Sequence, residues 1–170
     1  VAREIARQAP ERIQGLVLVA SSARGDNTDE RERKARSAEH VQHAAFAGLP
    51  KTSILNSLHP SRRDDTELVA RINDMAKRLG AGVFVRQMAG REGDEGRLAE
   101  ITCPTLVVAS MQDEIRSMEE STALQVAIPS ADLAIIHGAG HMLPLEKPNQ
   151  LARLIECCIR QRVSAKSKLS

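Results

Sequence analysis

Aromatic side chains are almost absent from this sequence: its 170 residues include no Trp, no Tyr and only two Phe, Phe46 and Phe84. A hydrophobic core must therefore be built from Leu, Ile, Val, Ala and Met. Proteins that bind single-stranded nucleic acid combine aromatic platforms with basic grooves, and a formal net charge of +2 supplies little basic surface. The composition argues against nucleic-acid binding and is that of an ordinary globular domain.

Cysteine is also scarce, and Cys103, Cys157 and Cys158 show no metal-ligand spacing. Because two of the three are adjacent, we expect reduced thiols in a cytoplasmic protein rather than a disulfide framework. No apolar run approaches about 18 residues and no signal peptide is evident, so neither a membrane span nor export is predicted. Phosphate-loop and Gly-x-Gly-x-x-Gly motifs are absent as well, which disfavours a phosphate- or nucleotide-binding α/β domain. No cofactor and no metal are predicted.

What the sequence does have is a glycine loop that carries a histidine. An apolar run at 131–137 is followed by GAGHMLPLEKP at 138–148. An apolar run that ends in glycines predicts a buried strand opening into a tight loop, and His141 on that loop is well placed for proton transfer. The alternative, a structural histidine whose ring satisfies a loop carbonyl, stays open from this segment alone.

A second apolar run delivers a carboxylate. Residues 105–113 read TLVVASMQD, a predicted strand and a short polar loop that carries Asp113. Because strand ends of an open parallel sheet lie side by side, we expect Asp113 and His141 to meet at one edge. A carboxylate on one imidazole nitrogen fixes the tautomer and stabilises the imidazolium, which leaves the other nitrogen free to take a proton from a nucleophile.

These segments, together with 9–19 (APERIQGLVLV) and 128–131 (IPSA), resemble the α/β-hydrolases, and more narrowly their small-cap esterase and enol-lactonase-like serine hydrolases. The resemblance covers nearly the whole chain. It implies that Asp113 is the triad acid and His141 the triad base.

The fold class that the resemblance implies is α/β: a partial α/β-hydrolase fold with a parallel sheet remnant, flanking helices and a helical cap insertion. The three C-terminal strands are expected at 13–20, 104–110 and 131–137. The expected division of the chain is a hydrolase core at 1–27 and 98–160, a helical cap at 28–97 and a disordered basic tail at 161–170. Helical patterns within the cap cover 28–47, 66–79 and 82–90. A capping box at 117–120 (SMEE) predicts the start of a further helix.

The sequence departs from the family at the nucleophile. In α/β-hydrolases a Gly-x-Ser-x-Gly elbow precedes the acid and the histidine, and no such motif occurs here. We therefore expect the serine to be missing and the chain alone to be inactive or very weak. The implied function is a serine hydrolase of carboxylic esters, lactones or thioesters by Ser-Asp-His chemistry, although an Asp or Cys nucleophile stays open. The alternative is a truncated, inactive hydrolase remnant that acts as a binding or interaction module.

The cap supplies the candidate contacts for a small-molecule ester-type substrate. Phe46, Phe84 and Met88 are candidates to line an acyl pocket, and Arg62 to hold a substrate carboxylate, since guanidinium binds carboxylates in a bidentate way. Cap core and a solvated loop are the alternatives for these residues. The first strand would lack one neighbour, and an open strand edge recruits other chains. We therefore expect a homodimer or a complementing N-terminal fragment at that edge.

Overall fold

The computed structural model describes residues 1–43 and 46–166. Within these ranges the chain forms three β-strands: β1 (Leu16–Val19), β2 (Thr105–Ser110) and β3 (Ala131–Ile136). Its α-helices are α1 (Ala2–Gln8), α2 (Thr28–His43), α3 (Lys51–Asn56), α4 (Thr66–Met88), α5 (Met118–Ala127), α6 (Leu143–Glu146) and α7 (Pro148–Lys166). Its 3₁₀ helices are η1 (Pro10–Arg12), η2 (Pro60–Arg62) and η3 (Glu95–Glu100). None of the helices in these ranges has the length and apolarity that crossing a bilayer requires.

The strands form one parallel sheet in the order β1-β2-β3, with Leu16 opposite Thr105 and Thr105 opposite Ala131. All six residues of β2 are buried, as a central parallel strand covered on both faces requires. Burial alternates along β1, which pairs with a neighbour on one side only within the described residues. The predicted fold class, an α/β sheet of three parallel strands with flanking helices, is confirmed.

The first strand is shorter than predicted. It begins at Leu16, because the chain from Pro10 to Arg12 is coiled into η1 and joins the sheet only where Leu16 N–H donates to the Pro104 carbonyl at 2.8 Å. Proline fixes φ near the helical value, which favours a turn over extended backbone at this point. The sheet therefore carries four residues of β1 beside six of β2.

The sheet separates two apolar layers. Side chains of a strand alternate between its faces, so Val107 joins the cluster covered by α1 and α5, whereas Leu106 and Val108 join the cluster covered by α7. A third cluster, which includes Ile54 and Leu58, lies among α3 and α4. Burial of each such aliphatic side chain contributes about 1.5–3 kcal/mol to folding.

The helical region between β1 and β2 is built on α2, α3 and α4. Asp65 caps α4, since its carboxylate accepts a hydrogen bond from Leu68 N–H at 3.0 Å. Gly80 interrupts α4 with φ 78° and ψ 167°, values that only glycine adopts without strain. The interruption falls between the two helices predicted for this stretch. The helix α2 is described as far as His43, and residues 44–45 lie outside the described part of the chain.

The two ends of this helical region are hydrogen-bonded to each other, a feature that we call the cap base. Asp26 N–H donates to the Arg91 carbonyl at 2.9 Å, and Arg91 N–H donates to the Asp26 carboxylate at 2.7 Å. Lys34 Nζ lies 2.6 Å from the same carboxylate, and this hydrogen bond is the largest cause that lowers the pKa of Asp26. The helical region thus leaves and rejoins the sheet domain at one place.

The C-terminal helices bear on two predictions, the capping box at 117–120 and the disordered tail at 161–170. The capping box is confirmed: Ser117 Oγ accepts from Glu120 N–H, and Glu120 Oε2 accepts from Ser117 N–H at 2.8 Å. The apolar face of α7 packs on the sheet through Leu151, but Ile159 is 57% exposed. The helix continues to Lys166, into the segment expected to be a disordered tail.

Candidate active site

Asp113 lies in the loop after β2, with its side chain only 2% exposed. One carboxylate oxygen, Oδ1, accepts hydrogen bonds from the backbone N–H groups of Ile115 at 2.8 Å and Arg116 at 2.9 Å. Burial acts to raise the pKa of Asp113, but hydrogen bonds from His141 and from these backbone groups outweigh it, so the pKa lies below its ordinary value. Asp113 is therefore ionised at neutral pH and can only accept hydrogen bonds.

His141 lies in the loop after β3, and its Nδ1 is 2.9 Å from Asp113 Oδ2. Because the carboxylate is ionised, Nδ1 carries the hydrogen and donates it, which leaves Nε2 as the acceptor of the neutral ring. The side chain of His141 is 28% exposed, whereas its partner is buried. The structure thus brings the two predicted catalytic residues together in the orientation that a general base requires.

The loop that carries His141 is held by residues of β2 and the loop after it. Gly138 has φ +73° and donates its N–H to Gln112 Oε1 at 2.8 Å. Ser110 Oγ, which is buried, donates to the Ala139 carbonyl. The backbone on the N-terminal side of His141 therefore has fixed partners before any substrate binds.

The same loop is held from the other side by the helical region. Met142 N–H donates to the Ser57 carbonyl at 3.0 Å. Glu146, buried at the end of α6, accepts from Gly140 N–H through Oε2 and from His59 N–H through Oε1, both at 2.8 Å. These bonds join the histidine loop to the segment at 57–59.

The loop of Asp113 is tied to the helical region by an ion pair. Arg63 Nη2 lies 2.7 Å from Glu114 Oε1, and its Nε donates to the Leu55 carbonyl at 3.0 Å. The pair is partly exposed, so we expect it to contribute about 1 kcal/mol or less. The loops of both site residues are thus in contact with the helical region.

A cavity of about 320 Å³ opens beside His141. Its walls come mainly from apolar side chains of α4 and of the segment before α3, among them Phe46, Met75 and Phe84. The two Phe rings lie 5.3 Å apart between centroids, at 36° to each other. No Asp, Glu, Lys or Arg side chain of the described residues lines it, so this cavity suits an uncharged apolar group.

Of the four residues predicted to contact substrate, the structure places two beside His141 and two elsewhere. Phe46 and Phe84 line the cavity of His141, whereas Met88 lines a separate groove against α2. Arg62 Nη2 lies 2.7 Å from Asp65 Oδ2, and Arg62 does not belong to the described lining of the cavity.

Several residues that line the cavity were not predicted from the sequence, although their spacing carries a signal. Ile72, Met75, Ala76 and Leu79 line the cavity and follow the spacing i, i+3, i+4, i+7 on α4. That spacing marks one face of a helix, so α4 could have been recognised as a wall. Met142 also lines the cavity and directly follows His141 in the sequence.

Solved structures similar to this chain include an esterase, an enol-lactonase and an alpha/beta hydrolase enzyme. A thermophilic esterase from Thermogutta terrifontis is 30% identical, with a TM-score of 0.81, over 95% of this chain and 61% of that chain. The enol-lactonase from Burkholderia xenovorans LB400 is 17% identical, with a TM-score of 0.78, over 94% of this chain and 61% of that chain. MGS-M2, an alpha/beta hydrolase enzyme from a Medee basin deep-sea metagenome library, is 20% identical, with a TM-score of 0.72, over 93% of this chain and 60% of that chain. The chain has the α/β-hydrolase fold.

This α/β-hydrolase chain spans about 61% of the length of the esterase and of the enol-lactonase. The similarity to these structures confirms the superfamily that the sequence resembles. The share of their length that the chain covers confirms the partial character of its fold. No family model matches the sequence. Comparison with curated proteins finds no similar sequence.

Proposed function

We propose that this chain supplies the acid and base of a serine-type hydrolase that acts on a carboxylic ester, lactone or thioester. The observation that carries the proposal is the hydrogen bond of 2.9 Å between His141 Nδ1 and Asp113 Oδ2, beside an apolar cavity that His141 lines. The esterase and the enol-lactonase among the similar structures support the same class of reaction. His141 and Asp113 are the catalytic pair of the proposal.

In the proposed reaction the oxygen of the nucleophile's hydroxyl attacks the carbonyl carbon of the substrate, and His141 Nε2 takes the hydroxyl proton. The imidazolium that forms is stabilised by ionised Asp113, and it returns the proton to the departing alcohol or thiol. A water molecule then attacks the acyl intermediate, again with His141 as base, and releases the acid. Asp113 stays ionised throughout.

The nucleophile is proposed to come from outside these 170 residues, because they contain no Gly-x-Ser-x-Gly motif. Without it His141 has no hydroxyl to deprotonate, so we expect this chain alone to be inactive or very weak. Serine is the proposed residue, and aspartate or cysteine would imply related chemistry on other substrates.

For the substrate we propose an uncharged apolar acyl group in contact with Phe46 and Phe84. The proposal does not use Met88 or Arg62, which lie outside the lining of the cavity. A carboxylate-bearing acyl group would meet no Lys or Arg side chain of the described residues there. Nucleic acid and membrane are not proposed partners.

The alternative function, a hydrolase remnant that acts as an interaction module, is supported by the free side of β1. Within the described residues Leu16–Val19 pair only with β2, so the outer backbone groups of this strand are available to another chain. The proposed occupant is a complementing N-terminal fragment or a second copy in a homodimer. Sedimentation at micromolar concentration tests this, and a stable monomer would argue against it.

We also propose a cytoplasmic location, on the ground that Cys103, Cys157 and Cys158 are free thiols.

The proposed hydrolase is tested with p-nitrophenyl acetate and butyrate. The chain is assayed beside a version extended at its N-terminus, each with His141→Ala and Asp113→Asn variants. Activity confined to the extended version and abolished by His141→Ala supports the proposal. Activity that survives His141→Ala would remove His141 from the mechanism, and a silent extended version would favour the interaction module.

A further inference from the structure

Glu146 is a buried carboxylate whose only hydrogen-bond partners among the described residues are two backbone N–H groups. Its residue is 5% exposed, and no described ion pair involves it. A buried carboxylate is stable only where its oxygens are satisfied by donors or by a positive charge. Here each oxygen has one donor at 2.8 Å, Gly140 N–H for Oε2 and His59 N–H for Oε1.

The two donors belong to segments that are far apart in sequence and in direct contact in space. Gly140 directly precedes His141, and His59 follows Leu58, which is fully buried in the cluster of the helical region. A Cβ at Gly140 would lie 2.6 Å from the Leu58 carbonyl carbon and 2.7 Å from His59 N. The backbones at this point therefore touch, and Glu146 lies against both.

We infer that Glu146 is a positioning residue that fixes the His141 loop and the 57–59 segment in a single arrangement. The inference rests on the proposed function in that it makes the orientation of the base depend on the docking of the helical region. If the 57–59 segment moves away, the Glu146 carboxylate can keep only one of its two hydrogen bonds, either with His59 or with Gly140. Ser57 and Met142 reinforce the same contact through their backbone hydrogen bond of 3.0 Å.

The variant that tests the inference is Glu146→Gln. Glutamine keeps the shape of the side chain but offers one carbonyl oxygen and one NH₂ group, and NH₂ cannot accept from an N–H donor. It can therefore serve Gly140 or His59 but not both. Asp26→Asn is the matched control, because Asp26 is a buried carboxylate that also accepts a backbone N–H, from Arg91, at the cap base.

The measurement is amide hydrogen exchange by NMR on the full chain, together with the Nδ1 proton resonance of His141 and its pH titration. In Glu146→Gln we expect exchange at Gly140 or His59 to accelerate by roughly tenfold or more, since a hydrogen bond to a charged group is lost, while β2 amides stay unchanged. We also expect a shift of the His141 Nδ1 resonance. Asp26→Asn should leave exchange at Gly140 and His59, and the His141 resonance, as they are.

Unchanged exchange at both amides, or equal acceleration at all amides, would overturn the inference, because the first shows no link and the second shows only lost stability. An unchanged His141 resonance would overturn the positioning role even if exchange accelerates. These readouts need no substrate, so they are independent of the esterase assay. Failure of the proposed function would instead appear there, as activity that survives His141→Ala.

Discussion

Gly140 offers a direct test of how tightly the histidine loop is packed against the helical region. In Gly140→Ala the added Cβ would lie 2.6 Å from the Leu58 carbonyl carbon, 2.7 Å from His59 N and 2.8 Å from the Ser57 carbonyl oxygen. All three are backbone atoms, which cannot turn aside as a flexible side chain can. The φ of Gly140 is not among the positive values found in the chain, so the cost of the substitution is steric. Either the loop or the 57–59 segment has to shift.

Overpacking of this kind typically costs about 1–3 kcal/mol of unfolding free energy. For a chain of this length each kcal/mol lowers the melting temperature by about 2–4 °C, so we expect a decrease of roughly 2–12 °C. The assay is thermal and urea unfolding followed by circular dichroism. Gly96→Ala is the control, because a Cβ at Gly96 would meet no heavy atom within 4 Å from any other part of the described chain.

The control should be neutral or stabilising by up to about 1 kcal/mol, since alanine has fewer unfolded conformations to lose. We therefore expect the two alanine variants to differ clearly in unfolding free energy. If the unfolding free energy of Gly140→Ala lies within about 0.5 kcal/mol of that of the parent chain, the steric cost is refuted and the contact between the histidine loop and Leu58 is looser than the structure indicates.

Three further predictions concern burial and pH. Leu58→Ala should cost about 2–5 kcal/mol in urea unfolding, because a fully buried side chain leaves a cavity, and a loss below about 1 kcal/mol would contradict its burial. On α7, Leu151→Ala should cost a similar amount, whereas Ile159→Ser, at a 57% exposed position, should stay within about 0.5 kcal/mol; equal effects would show that the helix is rotated. The lowered pKa of Asp113 means that its carboxylate stabilises the fold above the unfolded-state pKa and that this stability is lost as pH falls through the lower folded-state pKa. The unfolding free energy of the parent chain should therefore fall relative to that of Asp113→Asn as the pH falls from about 5 to about 3. A constant difference between the two unfolding free energies over that range would refute the linkage.

The sheet and the pairing of Asp113 with His141 could be predicted because their signals are local. Each residue follows an apolar run and a short loop, and parallel strands bring such loops to one edge. The start of β1 was misplaced because Ile13 continues the apolar pattern, although the one-turn helix at Pro10–Arg12 keeps it out of the sheet.

The helical region was harder to predict, because its contacts depend on helix direction and on partners far along the chain. Phe84 and Met88 are four residues apart on α4, yet Phe84 lines the cavity of His141 and Met88 lines the groove against α2. The bond from His59 to Glu146 joins residues 87 positions apart, which no periodicity reveals. Arg62 was predicted to hold a substrate carboxylate, whereas in the structure it pairs with Asp65, three residues on.

The cap base has a consequence for how such a protein can diverge. Because Asp26 and Arg91 are hydrogen-bonded neighbours, residues 27–90 form a segment whose two ends coincide, and such segments tolerate replacement and change of length. Doubling the length of a closed loop costs only about 0.6 kcal/mol. The walls of the cavity can therefore be exchanged as a unit while the loops after β2 and β3 keep Asp113 and His141 in place. Any replacement must still present a backbone N–H donor opposite Glu146, where His59 now lies.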